Sequence, residues 1–129
     1  MLELLQNFKD LLKQKAYCPI ATILPDGSPH TTVTWVDTDD SYVIINTVKG
    51  YQKLLNMQRD PRVALNVPNP ANPADVVCLR GRVAEITTDG GREHIEKLSQ
   101  KYTGRPYSFG GPGQVRVIVK IAVEKFLGR

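Results

Sequence analysis

Apolar residues recur along this chain at two spacings, and the change from one to the other divides it into elements. Near the N-terminus Leu2, Leu5, Phe8 and Leu12 fall three and four residues apart. That spacing shares one helical face and predicts an amphipathic helix over 2–15. Pro19 blocks its continuation. Beyond it the period drops to two. PIATIL and PHTTVTWVD, both rich in β-branched residues, flank Pro25-Asp26-Gly27-Ser28. Proline presets φ there and glycine accepts a positive φ, so the stretch reads as a hairpin. A second polar turn, Thr38-Asp39-Asp40-Ser41, leads to YVIINT. Three antiparallel strands in succession make a meander.

Residues 51–58 read as a short helix stopped by Asp60-Pro61, and RVALNV as a fourth strand. PNPANPAD, residues 68–75, holds three prolines in eight positions, which predicts an exposed loop rather than helix or interior strand. VVCLRGRVAEIT is a fifth strand in which Gly81 marks a bulge or bend. Thr88-Asp89-Gly90-Gly91 opens a helix over 92–102 with Ile95, Leu98 and Tyr102 on one face. The segment 104–114 is an irregular loop. VRVIVKIAV then alternates, with Val117, Val119, Ile121 and Val123 facing one side. Strands that follow one another without a helix between each pair argue against a doubly wound parallel sheet. The expectation is a mainly β chain: one domain, 1–129, built as a six-stranded antiparallel barrel, closed or split, over 19–123 with three flanking helices.

A length of 129 residues fits one domain. With 41% hydrophobic and 23% charged residues the chain is typical of folded soluble proteins. A domain of this size encloses a deep pocket with difficulty, so a subunit interface is the simplest source of a missing wall. The net charge of +4 is compatible with nucleic acid, an acidic membrane surface or a phosphorylated small molecule, and selects none. No apolar run approaches the ~20 residues of a membrane span, and MLELLQNFKDLLKQK lacks the apolar core of a signal peptide. With Cys18 and Cys78 far apart, a reduced cytoplasmic protein with two free, buried thiols is expected.

Several chemistries are excluded by pattern. There is no G-x-x-x-x-G-K-[ST] and no G-x-S-x-G. Gly110, Gly111 and Gly113 lie in a proline-containing loop, not between strand and helix. His30, His94, Cys18 and Cys78 show no metal-ligand spacing, and no metal is expected. What remains is a concentration of positive charge where a strand hands over to a helix: NTVKGYQKLLNMQRDPR carries Lys49, Lys53, Arg59 and Arg62 against Asp60. Free backbone N–H groups at such a helix start, Gly50 permitting close approach, and Lys53 one turn in would hold a phosphate. A solvated helix face has the same composition, and both readings stand on these residues alone. On the second strand, alternation sets His30, Thr32 and Thr34 on one face and Thr31, Val33 and Trp35 on the other.

Taken in order, P-D-G-S-P-H, N-T-x-K-G-x-Q-K, N-x-x-R-D-P-R-V-A-L and R-G-R-V resemble the pyridoxamine 5′-phosphate oxidase-like split β-barrel superfamily over about Ala21 to Ile121. More narrowly they resemble its flavin- and deazaflavin-dependent oxidoreductases, many of which use coenzyme F-420. The resemblance implies an FMN-binding split-barrel fold and a homodimer with cofactor sites between protomers. It implies hydride transfer between the reduced deazaflavin F-420 and a small organic acceptor, with FMN as the alternative cofactor. It assigns the phosphate to Asn46, Thr47, Lys49, Gly50, Gln52 and Lys53, and the ring to His30, Thr31, Thr32, Val33 and Thr34. Where relatives commonly carry an arginine on the turn, Tyr51 follows Gly50 here, leaving Lys49 and Lys53 to neutralise the phosphate. No residue matches a catalytic acid or base. Tyr107 and Phe109 are candidates to cover the ring from the partner subunit, and Gly110-Gly111 beside them are equally compatible with a flexible loop. A non-catalytic flavin or haem carrier is a second class. A nucleic-acid-binding barrel is a third, disfavoured because the nine aromatics are scattered along the sequence.

Overall fold

The computed structural model describes residues 1–128; Arg129, the last residue of the expected domain, lies outside the described residues. Ten elements follow one another: α1 (Gln6–Leu12), β1 (Tyr17–Ile23), β2 (Pro29–Trp35), β3 (Asp37–Thr38), β4 (Val43–Val48), α2 (Gln52–Arg59), β5 (Arg62–Asn69), β6 (Asn72–Thr87), α3 (Gly91–Thr103) and β7 (Arg116–Leu127). The strands form one curled antiparallel sheet in the order β2-β1-β5-β6-β7-β4-β3. Among the described residues there are seven strands rather than six. The extra one, β3, is a two-residue pairing of Asp37 and Thr38 with Ile44 and Val43, too short to leave a period-two signal.

The barrel is split, and the split corrects the expected meander. β2 pairs with β1 from Tyr17↔Trp35 to Ile23↔Pro29 and has no ladder with β4. β2 is therefore one edge of the sheet and β3 the other, joined in the chain only by Val36. Because β3 covers only Val43 and Ile44, the Asn46–Val48 half of β4 faces β2 across an unpaired seam.

Inward side chains of the curled sheet make the core. Val43, Ile45, Val117, Val119, Ile121 and Val123 are buried with Cys18, Ile20, Val63, Leu65 and Leu79. α1 closes one end through Phe8, Leu11 and Leu12. α2 sits over β1, where Asn56 Nδ2 donates to Thr22 Oγ1 at 3.0 Å. Gly81 lies at a register shift between β6 and β7, the predicted bulge. A Cβ there would meet Ile121 Cγ2 at 2.7 Å, so the bend also brings two strands into close approach.

Against the expected ranges α1 is shorter at both ends, α2 is shifted by one residue and α3 is longer by one residue at each end. The 68–75 segment is not a free loop. It forms the exposed end of the β5–β6 hairpin, with Asn69 paired to Asn72 around a two-residue turn. Strand pairing tolerates its prolines at this edge. Cys18 is buried and Cys78 half-buried, and both are free thiols. Among the described residues, no helix is long and apolar enough to cross a membrane.

Candidate functional site

The seam between β2 and β4 opens into a cleft of about 270 Å³. Val33, Thr34 and Trp35 supply one side and Asn46 and Thr47 the other. Lys53 of α2 and Arg116 at the start of β7 add two half-buried cations. Ile95 and Leu98 of α3 form an apolar floor, and Tyr17, Tyr51, Tyr107 and Phe109 complete the rim. Five of the nine aromatic residues thus converge here although they are scattered in sequence. Tyr107 and Phe109 reach the cleft of their own chain. Trp35 stacks on Tyr102 at 4.9 Å, and Tyr107 meets it edge-on at 6.3 Å.

The basic turn separates into different fates. Lys53 enters the cleft. Burial pushes its ammonium below the ordinary value, and Arg116 nearby pushes the same way, opposed by Cys18. Lys49 instead lines a separate depression with Gln58 and Asp89. Arg59 donates to the Ile23 carbonyl, and Arg62 pairs with Asp60 at 2.7 Å. Gly50 sits at φ 96 in an open turn, a conformation that favours glycine. Gln52 donates to Asn56 Oδ1 at 2.7 Å. Tyr51 provides no side-chain cap for α2, so the first amides of that helix keep their partial positive charge.

On β2, cross-strand register sets His30, Thr32 and Thr34 on the same face as buried Thr22, Ile20 and Cys18. Thr31 and Val33 are exposed on the opposite face. The Thr34 hydroxyl donates to the Trp35 carbonyl at 3.2 Å. Of the residues expected at the site, the cleft brings together Val33, Thr34, Asn46, Thr47 and Lys53. It does not gather His30, Thr31, Thr32, Lys49, Gly50 and Gln52 along its lining.

Arg116 is the principal residue that sequence reasoning missed. It reads there as the second residue of the strand VRVIVKIAV. In the fold its guanidinium lies over the Tyr107 ring at 4.6 Å and donates to the Tyr107 hydroxyl and to Gln114 Oε1 at 3.2 Å. His94 is a second. It lies between Asn46 and Asp37, 3.1 Å from each. Burial alone would raise the Asp37 carboxyl. Hydrogen bonds from His94 and the Thr38 amide, with Lys97 nearby, outweigh that and hold it at about 2. The available signal was Asn46 itself, a polar residue inside the apolar run VIINTV, which when buried requires partners.

Four buried side-chain atoms lack partners among the described residues: His30 Nδ1, Thr32 Oγ1, Thr47 Oγ1 and Arg116 Nε. Thr47 and Arg116 line the cleft, where two cations face no carboxylate in the lining. Buried donors without acceptors are costly, so this donor set fits a bound oxyanion.

A mainly β chain curled into a split barrel, with a cationic, aromatic-walled cleft at its seam, defines a class of small-molecule-binding split barrels. The family pattern described as pyridoxamine 5′-phosphate oxidase matches residues 4–128, and the chain belongs to that family. Among solved structures it is similar to an F-420 reductase, at 27% identity and a TM-score of 0.84, covering 96% of this chain and 98% of that one. It is also similar to protein Rv2991 of Mycobacterium tuberculosis, at 24% identity and a TM-score of 0.74, covering 98% and 84%. HupZ of Group A Streptococcus matches at 23% identity and a TM-score of 0.66, covering 95% and 91%. The last two share the fold. No curated protein matches the sequence.

Proposed function

We propose that the chain is an oxidoreductase that binds the deazaflavin coenzyme F-420 at the seam and passes hydride between it and a small organic acceptor. The observation that carries this reading is the pair Lys53 and Arg116, half-buried in an aromatic cleft without a facing carboxylate. Unbalanced, half-buried cations match the phosphate of such a cofactor, and flat aromatic walls match its ring. Likeness to the F-420 reductase supports the deazaflavin over FMN.

When bound, the cofactor supplies the redox chemistry. Lys53, Arg116 and the Thr47 hydroxyl would hold its phosphate, while Trp35, Tyr107 and the Ile95–Leu98 floor exclude water from the ring. No ionisable side chain beyond these two cations and the Tyr17, Tyr51 and Tyr107 phenols lines the cleft, so the residues act by binding and orientation. The cleft volume falls just short of the roughly 300–1,000 Å³ of typical small-molecule sites. Tyr17, Val33 and Phe109 are each about 60% exposed at its rim. A second copy of the chain would cover them and complete the walls, so the working form is a homodimer. We assign it to the cytoplasm, where free thiols persist.

Parallel fluorescence titrations with F-420 and FMN test the reading. Tight binding of F-420 and weak binding of FMN is the expected result, followed by oxidation of the reduced cofactor when enones or quinones are added. Tight binding of FMN alone moves the protein to the flavin branch, and binding of neither refutes the proposal.

A further inference from the structure

His94 does not line the cleft, yet the direction of its hydrogen bonds reaches into it through Asn46, which does. Asn46 Nδ2 donates to the Gly91 carbonyl at 2.9 Å and lies 3.1 Å from His94 Nδ1. A carbonyl only accepts, so this end of the Asn46 amide is the amino end, and His94 Nδ1 must accept from it. The ring proton therefore sits on Nε2, 3.1 Å from the Asp37 carboxylate, which accepts it. Asp37 and Asn46 are buried, and the His94 side chain is only 10% exposed. The Asn46 carbonyl oxygen is left facing Arg116, 3.4 Å from Nη1. Reversing that amide would set its amino group against the guanidinium, donor to donor.

We infer that His94 is a positioning residue: together with the Gly91 carbonyl, the chain Asp37–His94–Asn46 fixes which end of the Asn46 amide meets Arg116, and so holds the guanidinium in the cleft wall with Nε free for an oxyanion. Three elements must cooperate, β3 through Asp37, α3 through His94 and β4 through Asn46. The inference deepens the cofactor reading by naming what orients the second cation of its phosphate site, and rests on that reading for the identity of the anion.

The test has two parts. Long-range proton–nitrogen spectra of the wild type should show His94 as the Nε2–H tautomer at neutral pH; the Nδ1–H tautomer overturns the inference. Titration with inorganic phosphate, followed by Trp35 fluorescence and the Arg116 Nε–Hε resonance, supplies the second readout. His94→Phe should weaken phosphate by about fivefold, one net hydrogen bond's worth. His94→Asn, whose Oδ1 stands where Nδ1 stood, should recover affinity to within about twofold of the wild type, which a merely space-filling role would not produce. Wild-type affinity in His94→Phe, no recovery in His94→Asn, or no phosphate binding by the wild type each overturns it. Failure of F-420 and FMN to bind, with the tautomer and phosphate results as expected, would sink the oxidoreductase reading alone.

Discussion

Substituting Gly91 by alanine should damage the fold at the point where α3 meets the sheet. A Cβ at Gly91 would stand 2.1 Å from the Arg116 carbonyl oxygen and 2.6 Å from its carbon. Ordinary contact begins near 3.4 Å, so the helix start or β7 must retreat by about 1.3 Å. Both partners are backbone, so no rotamer change relieves the clash. Forcing extra volume into packed structure costs about 1–3 kcal/mol. Retreat also stretches the Asn46 Nδ2 bond to the Gly91 carbonyl, about 1 kcal/mol more. The helix propensity of alanine returns at most about 1 kcal/mol. The net expectation is a loss of about 1–3 kcal/mol, read as a melting-temperature drop of about 3–6 °C for each kcal/mol. Gly111→Ala is the control, because a Cβ there meets nothing within 4 Å. A Gly91→Ala protein as stable as the control would mean that α3 does not rest on β7 in this way, and the alignment of Asn46 and His94 would lose its footing.

Two further outcomes follow from the charges. Lys53→Met should weaken cofactor binding by about 1–3 kcal/mol, the worth of a charge-assisted hydrogen bond, in the same fluorescence titration. It should also raise the melting temperature of the free protein, since burial disfavours the Lys53 charge in the fold; an unchanged affinity would remove Lys53 from the site. For Asp37, a folded pKa of about 2 against an ordinary 3.8 contributes about 2 kcal/mol that is fully present above the unfolded value and lost as pH falls through 2. Urea unfolding of the wild type and Asp37→Asn should therefore differ at pH 7 and converge towards pH 2, and a gap independent of pH would contradict the assignment.

What the sequence made legible was local. The period of two through Val117–Val123, the breaker at Pro19 and the bulge at Gly81 are each written in a few adjacent residues. Strand partnership was legible only where a turn announces it: Pro25–Ser28 marked the pairing of β2 with β1. Nothing in PHTTVTWVD says that β2 forms no ladder with β4, because that depends on the curvature of the whole sheet. The site followed the same division. Lys53 was visible because a glycine turn and a helix start mark it. Arg116 was not, because its meaning depends on Asn46, 70 residues earlier. The aromatics looked scattered because the five in the cleft come from four different segments.

Val36 joins the two free edges of the sheet, and it is clamped. Lys101 Nζ donates to its carbonyl at 2.6 Å, and its amide donates to the Tyr102 hydroxyl at 3.0 Å. Lys101 and Tyr102 also reach back to the Leu12 carbonyl at the end of α1 and to the Ala16 carbonyl beyond it. Lips joined at one end by a single pinned residue part as the covers of a book do, about the spine. Widening of the seam is then an angular motion, least beside Val36 and growing along the strands, so that Trp35, adjacent to the spine, is carried least and Val33 further. A flat guest would enter from the free margin and slide towards the binding, and its depth of seating, rather than its thickness, would be what the opening angle selects.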